Sequence, residues 1–214
     1  MNLKTSVAGE EFELLAQKAV YWRKESALLL ADLHLGKVNH FRKSGIPVPT
    51  KAGDKSLEDL IDLIHLTRPQ RVLCLGDLFH SHYNPAWEVF GEVVSHFRAV
   101  TFELIIGNHD IMSARQYERK KISVHEHLDL GPFLMTHHPV ETVVPGRYNL
   151  AGHIHPGVNL RGKGQQSITL PCFYFGKHQG ILPAFGMFTG IAKIHPEKGD
   201  QVFVVAEQNV IPVS

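Results

Sequence analysis

Apolar and polar residues fall along the chain in blocks of two kinds. Short apolar runs at Phe12–Leu15, Ala19–Trp22 and Ala27–Ala31 have the length and the polar flanks of strands. Leu57, Leu60, Ile61 and Ile64 recur at helical spacing, which predicts a helix ending before Pro69. Arg71–Leu75 reads as a buried strand. Trp87, Phe90, Val94 and Phe97 form a second helical stripe, with Asn84-Pro85 as cap and first turn. Leu104–Ile106 is a further strand. From Ile122 onward short strands take over, at Phe133–Met135, Tyr148–Leu150, Ser167–Leu170, Phe188–Ile191 and Val202–Val205.

The first half therefore predicts βαβαβ with right-handed crossovers, and the second half a β meander. Two sheets packed face to face with helices outside accommodate both, an α/β class. No repeat, low-complexity stretch or Gly/Ser/Pro linker interrupts the pattern, so residues 1–214 are expected to form a single domain, long enough to bury a sizeable core.

Composition narrows the classes further. With 43% hydrophobic residues and a net charge of +1, the chain is not of the disordered type. It has no run of 18 apolar residues, so no membrane span is expected. The N-terminal stretch carries acids where a secretory signal needs an apolar core, and Cys74 and Cys172 are too few for a disulfide framework; a cytoplasmic location is expected. The balanced charge does not advertise a nucleic-acid footprint. One count is unusual: 15 histidines in 214 residues.

The chemistry gathers at strand ends, where ligands sit in open α/β sheets. Asp32-Leu33-His34 follows the run ending at Ala31, and Gly76-Asp77 follows Leu75. Gly107-Asn108-His109-Asp110 follows Ile106, Thr136-His137-His138-Pro139 follows Met135, and Gly152-His153-Ile154-His155 comes two residues after Leu150. Any one of these suits a solvated strand end; five in succession do not. His125-Glu126-His127 has the same alternate spacing but no glycine and no preceding apolar strand, and is read as surface.

Carboxylate, amide oxygen and imidazole suit Mn, Fe or Zn rather than a thiolate-seeking metal. Two divalent ions about 3.5–4 Å apart can clamp the attacking and leaving oxygens of a phosphoryl displacement. Such a pair needs a shared carboxylate, for which Asp77 is the central candidate, with Gly76 leaving room for close approach. The ions outweigh the charge of Asp32 and Asp77, and the surplus attracts a phosphate.

Asp32-x-His34, Gly76-Asp77, Gly107-Asn108-His109-Asp110, His137 and Gly152-His153-x-His155 together resemble the motif set of the calcineurin-like metallophosphoesterases. The resemblance implies a four-layer αββα sandwich of two mixed β-sheets flanked by helices. It implies one ion held by Asp32, His34, Asp77 and His155, and another held by Asp77, Asn108, His137 and His153. Asp77, Asn108 and His109 become the catalytic set: a metal-bridging hydroxide attacks in line, and His109 faces the substrate. Manganese is the expected metal, with iron or zinc as alternatives. Ala31-Asp32-Leu33-His34-Leu35-Gly36-Lys37, with Phe41-Arg42-x-x-Gly45-Ile46-Pro47-x-Pro49 and Gly76-Asp77-Leu78-Phe79-His80, is similar to the bacterial ligase-associated DNA damage response endonucleases. That narrower resemblance implies a DNA substrate and a DNA ligase or helicase as repair partner.

One position departs from the pattern. An acid often stands three residues after the shared Asp and partners the catalytic histidine; here the residue is His80. Asp110 is the nearest alternative in sequence. His138 is assigned a supporting or substrate-contacting role, as are Lys37 and Arg42 in a loop with Lys43, Lys51 and Lys55. Arg115, Arg119, Lys120 and Lys121 read as a solvated helix face, Arg161 and Lys163 as a loop near the metals, and Phe173–Phe175 as core rather than base-stacking. The expected activity is hydrolysis of a phosphodiester, most readily DNA. The alternatives are a small-molecule phosphodiesterase or phosphatase and, with all ligands intact less favoured, a non-catalytic scaffold.

Overall fold

Strands of four or five residues that are apolar throughout must be covered on both faces, and the computed structural model shows how. It describes residues 2–36, 52–79, 85–162, 164, 166–187 and 189–213. β1 (Leu3–Val7), β2 (Glu10–Leu15), β3 (Ala19–Trp22), β4 (Ala27–Leu30), β5 (Arg71–Leu75), β6 (Thr101–Ile105) and β7 (Ile122–His125) form one sheet in chain order. β1 to β4 run antiparallel, and β4 to β7 run parallel. Helices α1 (Ala52–Thr67), α2 (Pro85–His96) and α3 (Ala114–Arg119) lie between the parallel strands in sequence.

The second sheet is built from β8 (Leu128–Leu130), β9 (Phe133–Met135), β10 (Tyr148–Ala151), β11 (Pro156–Arg161), β12 (Ser167–Phe175), β13 (Gln179–Ile181) and β14 (Ala192–Lys193). Its order is β14-β11-β12-β13-β10-β9-β8, and β15 (Gln201–Ala206) and β16 (Asn209–Val213) extend from β12. It is not the expected meander. β10 runs parallel to both β9 and β13, because the chain crosses over between them instead of turning back.

Three apolar layers result. Leu60, Leu63 and Ile64 of α1 and Trp87, Phe90 and Val94 of α2 pack with Leu28, Leu30, Val72 and Leu104 of the first sheet. The alternate residues of those strands, Leu29, Leu73, Leu75 and Ile105, face Phe133, Leu150, Phe173 and Phe175 of the second. Cys172, Val202 and Val204, on the far face of the second sheet, form a smaller cluster. Burial pushes the thiol of Cys172 up to about 12, and Cys74 rises for the same reason, so both are packing residues. No helix among the described residues is long and apolar enough to cross a membrane.

Three further expectations need revision. Phe188–Ile191 is not a strand: position 188 lies outside the described residues, Thr189–Ile191 have no regular structure, and the strand begins at Ala192. Arg161 closes β11, paired with Ser167, rather than standing in a loop; Lys163 is outside the described residues. His125 does stand at a strand end, as the last residue of β7, and its Nε2 meets the Glu103 carboxylate at 3.1 Å. Glu103 also forms a two-pronged pair with Arg71. These are structural partners, not ligands at a cleft.

Candidate metal centre

The parallel strands end together, and their carboxyl ends carry the polar motifs. Beyond β4 the chain keeps company with the continuation of β5: Asp32 N–H donates to the Gly76 carbonyl (3.1 Å) and His34 N–H to the Asp77 carbonyl (2.8 Å). From the second sheet, His153 N–H donates to Asp32 Oδ2 (2.9 Å) and Gly152 N–H to the His137 carbonyl (3.1 Å). His109 N–H donates to Asp77 Oδ1 (2.9 Å). The motifs are thus tied to one another by backbone donors before any ion is considered.

Five of these residues have left-handed backbones: Asp32 (φ 54°), His34 (48°), Asp77 (49°), His153 (65°) and His155 (52°). Residues with positive φ cluster where a chain must turn sharply to aim side chains inward. Gly76 (φ 80°) combines that need with close approach, since a Cβ there would stand 2.0 Å from His137 Nδ1.

The side chains converge in two overlapping groups. Ligand atoms of Asp32, His34 and His155 all lie within 4.8 Å of one another, and so do those of Asp32, Asp77 and His137. Asp77 faces both ways: Oδ2 is 3.7 Å from His34 Nε2, and Oδ1 is 3.5 Å from His137 Nε2. His137 Nε2 is also 2.9 Å from Asn108 Oδ1 and 3.2 Å from His153 Nδ1. On the other side His155 Nε2 is 3.6 Å from Asp32 Oδ1. A third group, His137, His138 and His153, adds an exposed imidazole whose ring lies 3.9 Å from that of His153. The sequence had assigned His138 a supporting role only.

This donor set fits divalent ions. Asp32 Oδ1 is fully buried and has no hydrogen-bond partner among the described residues, a costly state for a carboxylate oxygen unless a cation meets it. His137 Nδ1 faces the Leu75 carbonyl (3.1 Å), and His155 Nδ1 the Gly190 carbonyl (3.1 Å). A ring nitrogen facing a carbonyl carries the proton, which leaves each Nε2 as the ligand atom. Burial, with His138 and His137 nearby, lowers the pKa of His153 and keeps its ring in the neutral form that ligates.

Asp110 serves the loop. Its carboxylate accepts from Gly107 N–H (2.9 Å) and Phe79 N–H (3.3 Å) and lies 3.5 Å from the Tyr117 hydroxyl. Burial raises its pKa to about 6 against those hydrogen bonds. His109 is half-buried, with its ring 5.4 Å from that of His34. His80, Lys37 and Arg42, with Lys43 and Lys51, lie outside the described residues; Lys55 is exposed and pairs with Asp59. Arg115 and Arg119 are exposed on α3, as expected. Phe173 and Phe175 are core.

Asn149 was missed. It is fully buried, donates to the Leu134 carbonyl and Thr136 Oγ1, and accepts from Val140 N–H. It thereby fixes the loop that carries His137 and His138. The available signal was a lone amide in the otherwise apolar Tyr148–Ala151 strand.

Two mixed sheets with flanking helices and a cluster of Asp, Asn and His at the strand ends define a metal-dependent phosphoesterase. The chain belongs to the calcineurin-like phosphoesterase family, whose profile matches residues 26–155. Among solved structures it is similar to the nuclease MPE of Pseudomonas putida, at 27% identity over 100% of both chains with a TM-score of 0.82. Yfce, a phosphoesterase from E. coli, matches at 14% identity over 87% of this chain and 97% of that one, with a TM-score of 0.46. No curated protein matches the chain.

Proposed function

We propose that this phosphoesterase is a nuclease that hydrolyses DNA phosphodiesters with two divalent ions, manganese being the expected metal. The observation that carries the reading is the Asp77 carboxylate, whose two oxygens face separate imidazole groups. Asp32, His34, Asp77 and His155 would hold one ion, and Asp77, Asn108, His137 and His153 the other, with His138 beside the second. When bound, the ions supply Lewis acidity and lower the pKa of a coordinated water.

The protein does the rest. Backbone N–H donors from His153 and His109 hold the Asp32 and Asp77 carboxylates, and the Asp32 and His34 N–H groups tie their loop to the Gly76 and Asp77 carbonyls, so the cluster is preorganised rather than assembled on binding. Asn108 and His109, on one short loop, border the cleft, where the imidazole of His109 can give a proton to the leaving oxygen. Asp110 keeps that loop closed from beneath.

The DNA substrate is supported by the likeness to the Pseudomonas putida nuclease. Its match over the whole of both chains also supports reading residues 1–214 as one catalytic domain. A cytoplasmic role in DNA repair beside a ligase or helicase rests on the resemblance of the motifs to the ligase-associated endonucleases. The test is an activity panel crossing Mn, Mg, Zn and Fe with single-stranded DNA, duplex DNA, a cyclic nucleotide and a phosphomonoester. Cleavage of DNA with Mn is expected. A preference for the cyclic nucleotide or the monoester by orders of magnitude would replace the nuclease reading with a small-molecule one.

A further inference from the structure

Beyond β13 the chain crosses the mouth of the cluster as a strap, Ala184–Met187 with Thr189 and Gly190. It lies directly on the backbone of the first metal motif. Ala184 bridges to Ala31, Phe185 N–H donates to the Ala31 carbonyl (2.8 Å) and Gly186 N–H to the Asp32 carbonyl (3.1 Å). A Cβ on Gly186 would stand 2.4 Å from the Leu33 carbonyl oxygen, so nothing larger than glycine fits. At its far end the strap meets His155 twice: the Gly190 carbonyl faces His155 Nδ1 (3.1 Å), and Ala192 N–H donates to the His155 carbonyl (3.0 Å). Both Asp32 and His155 are therefore placed partly by this segment, while among the described residues none of its hydrogen bonds reaches Asn108, His137 or His153.

In the strap, Ala184 to Gly186 are buried, with Phe185 in the core under the helices, while Met187 and Gly190 are exposed. A cavity of about 140 Å³ opens beside it, toward His155, Pro156 and Pro171. Besides its backbone bonds to Ala31 and Asp32, two side chains from other elements hold the strap. Lys18, in the turn between β2 and β3, donates from Nζ to the Gly186 carbonyl (3.2 Å). Ser56, buried on α1, accepts from Met187 N–H (3.2 Å).

We infer that Lys18 and Ser56 are positioning residues chiefly for one metal seat: they pin the strap that sets Asp32 and His155, and reach the Asn108–His137–His153 seat only at second hand, through the His153 N–H on Asp32 Oδ2. The inference rests on the two-ion reading above. Burial depresses the pKa of Lys18 to about 8, with Asp59 opposing the shift. The ammonium is thus an expensive group to keep, which makes sense if the strap bond compensates in function rather than in stability.

The test strips the full-length chain with a chelator and titrates it with Mn²⁺ alone, by calorimetry and by electron paramagnetic resonance. Wild type should take two ions and give a spin-coupled pair. Lys18→Met should weaken one ion about tenfold or more, the range for residues that orient ligands. The other ion should stay within about twofold, and the coupled signal should give way to that of an isolated ion. Ser56→Ala should do the same from the helix side, and Lys18→Arg should restore the pair. The metal-free Lys18→Met chain should melt no lower than wild type. Unchanged affinities in Lys18→Met would overturn the inference, as would equal weakening of both ions with a lower melting temperature of the stripped chain. A wild type that takes a single ion would overturn the two-ion reading alone.

Discussion

The two halves of the metal centre are built differently. Asp32 and His34 are buried at the ends of first-sheet strands, with the strap above them. Asn108 and His138 are exposed on loops, and the second half depends on imidazoles in edge-on and tilted contact rather than on a covering segment. One half is shaped by backbone bonds from several elements; the other joins the buried His137 to Asn108 and His138 at the solvent edge. Under the proposed two-ion reading, a symmetric ligand count hides an asymmetric division of labour: the inner half is held by backbone bonds, and the outer half meets solvent at Asn108 and His138.

Asp77 joins the halves, so removing it should break the comparison outright. Asp77→Ala is expected to lower Mn-dependent hydrolysis of a model phosphodiester by about three orders of magnitude or more, a barrier increase of about 4 kcal/mol. Retained activity would show that the two halves do not act together. Gly76→Ala strikes the outer half through His137: the new Cβ falls 2.0 Å from Nδ1, at a left-handed backbone. A loss of about a hundredfold in rate is expected, with about 1–3 kcal/mol less stability in denaturant unfolding. If ion binding in the inner half falls equally, the halves are less separate than drawn.

The inner half should also show itself through pH. The pKa of Lys18 is about 8 when folded, against 10.5 for the free side chain. Below pH 8 both states carry the proton and the burial cost is fully present. Between about pH 8 and 10.5 the folded chain has lost the proton while the unfolded chain keeps it, so stability should rise. The rise is on the order of 2–3 kcal/mol in the metal-free protein. Lys18→Met should remove that slope, as read by denaturant unfolding at several pH values. The smallest effect belongs to the outermost ligand group: His138→Ala should cost about tenfold or less in rate and leave the pH–stability curve unchanged. A loss as large as that of Asp77→Ala would make His138 an essential ligand.

The first sheet was largely legible from the chain. β3 and β4 are continuous apolar runs and the two longer helices show clean stripes, whereas β1 mixes in polar residues and offered no apolar run to read. The second sheet was legible only in part, because β11, β13 and β14 are short or half-polar and take their order from pairings distant in sequence. The same contrast holds at the site. The ligand motifs stand at strand ends and announce themselves through Gly, Asp, Asn and His. Lys18, Ser56 and Asn149 do not, since each acts on a backbone group that sequence spacing cannot place beside it. Asp110 stands out in the sequence as a partner for His109; its hydrogen bonds among the described residues go to Gly107, Phe79 and Tyr117.

The left-handed backbones at Asp32, His34, Asp77, His153 and His155 have a consequence for how such a site can change. Asp, Asn and His are the residues other than glycine that visit this conformation most readily. They are also the residues that hold manganese, iron or zinc. The loops therefore impose the same selection twice, once through the main chain and once through the ion. Re-tooling this scaffold for a softer metal would mean placing cysteines where the backbone disfavours them, so a change of metal preference would have to begin with the turns rather than with the ligands.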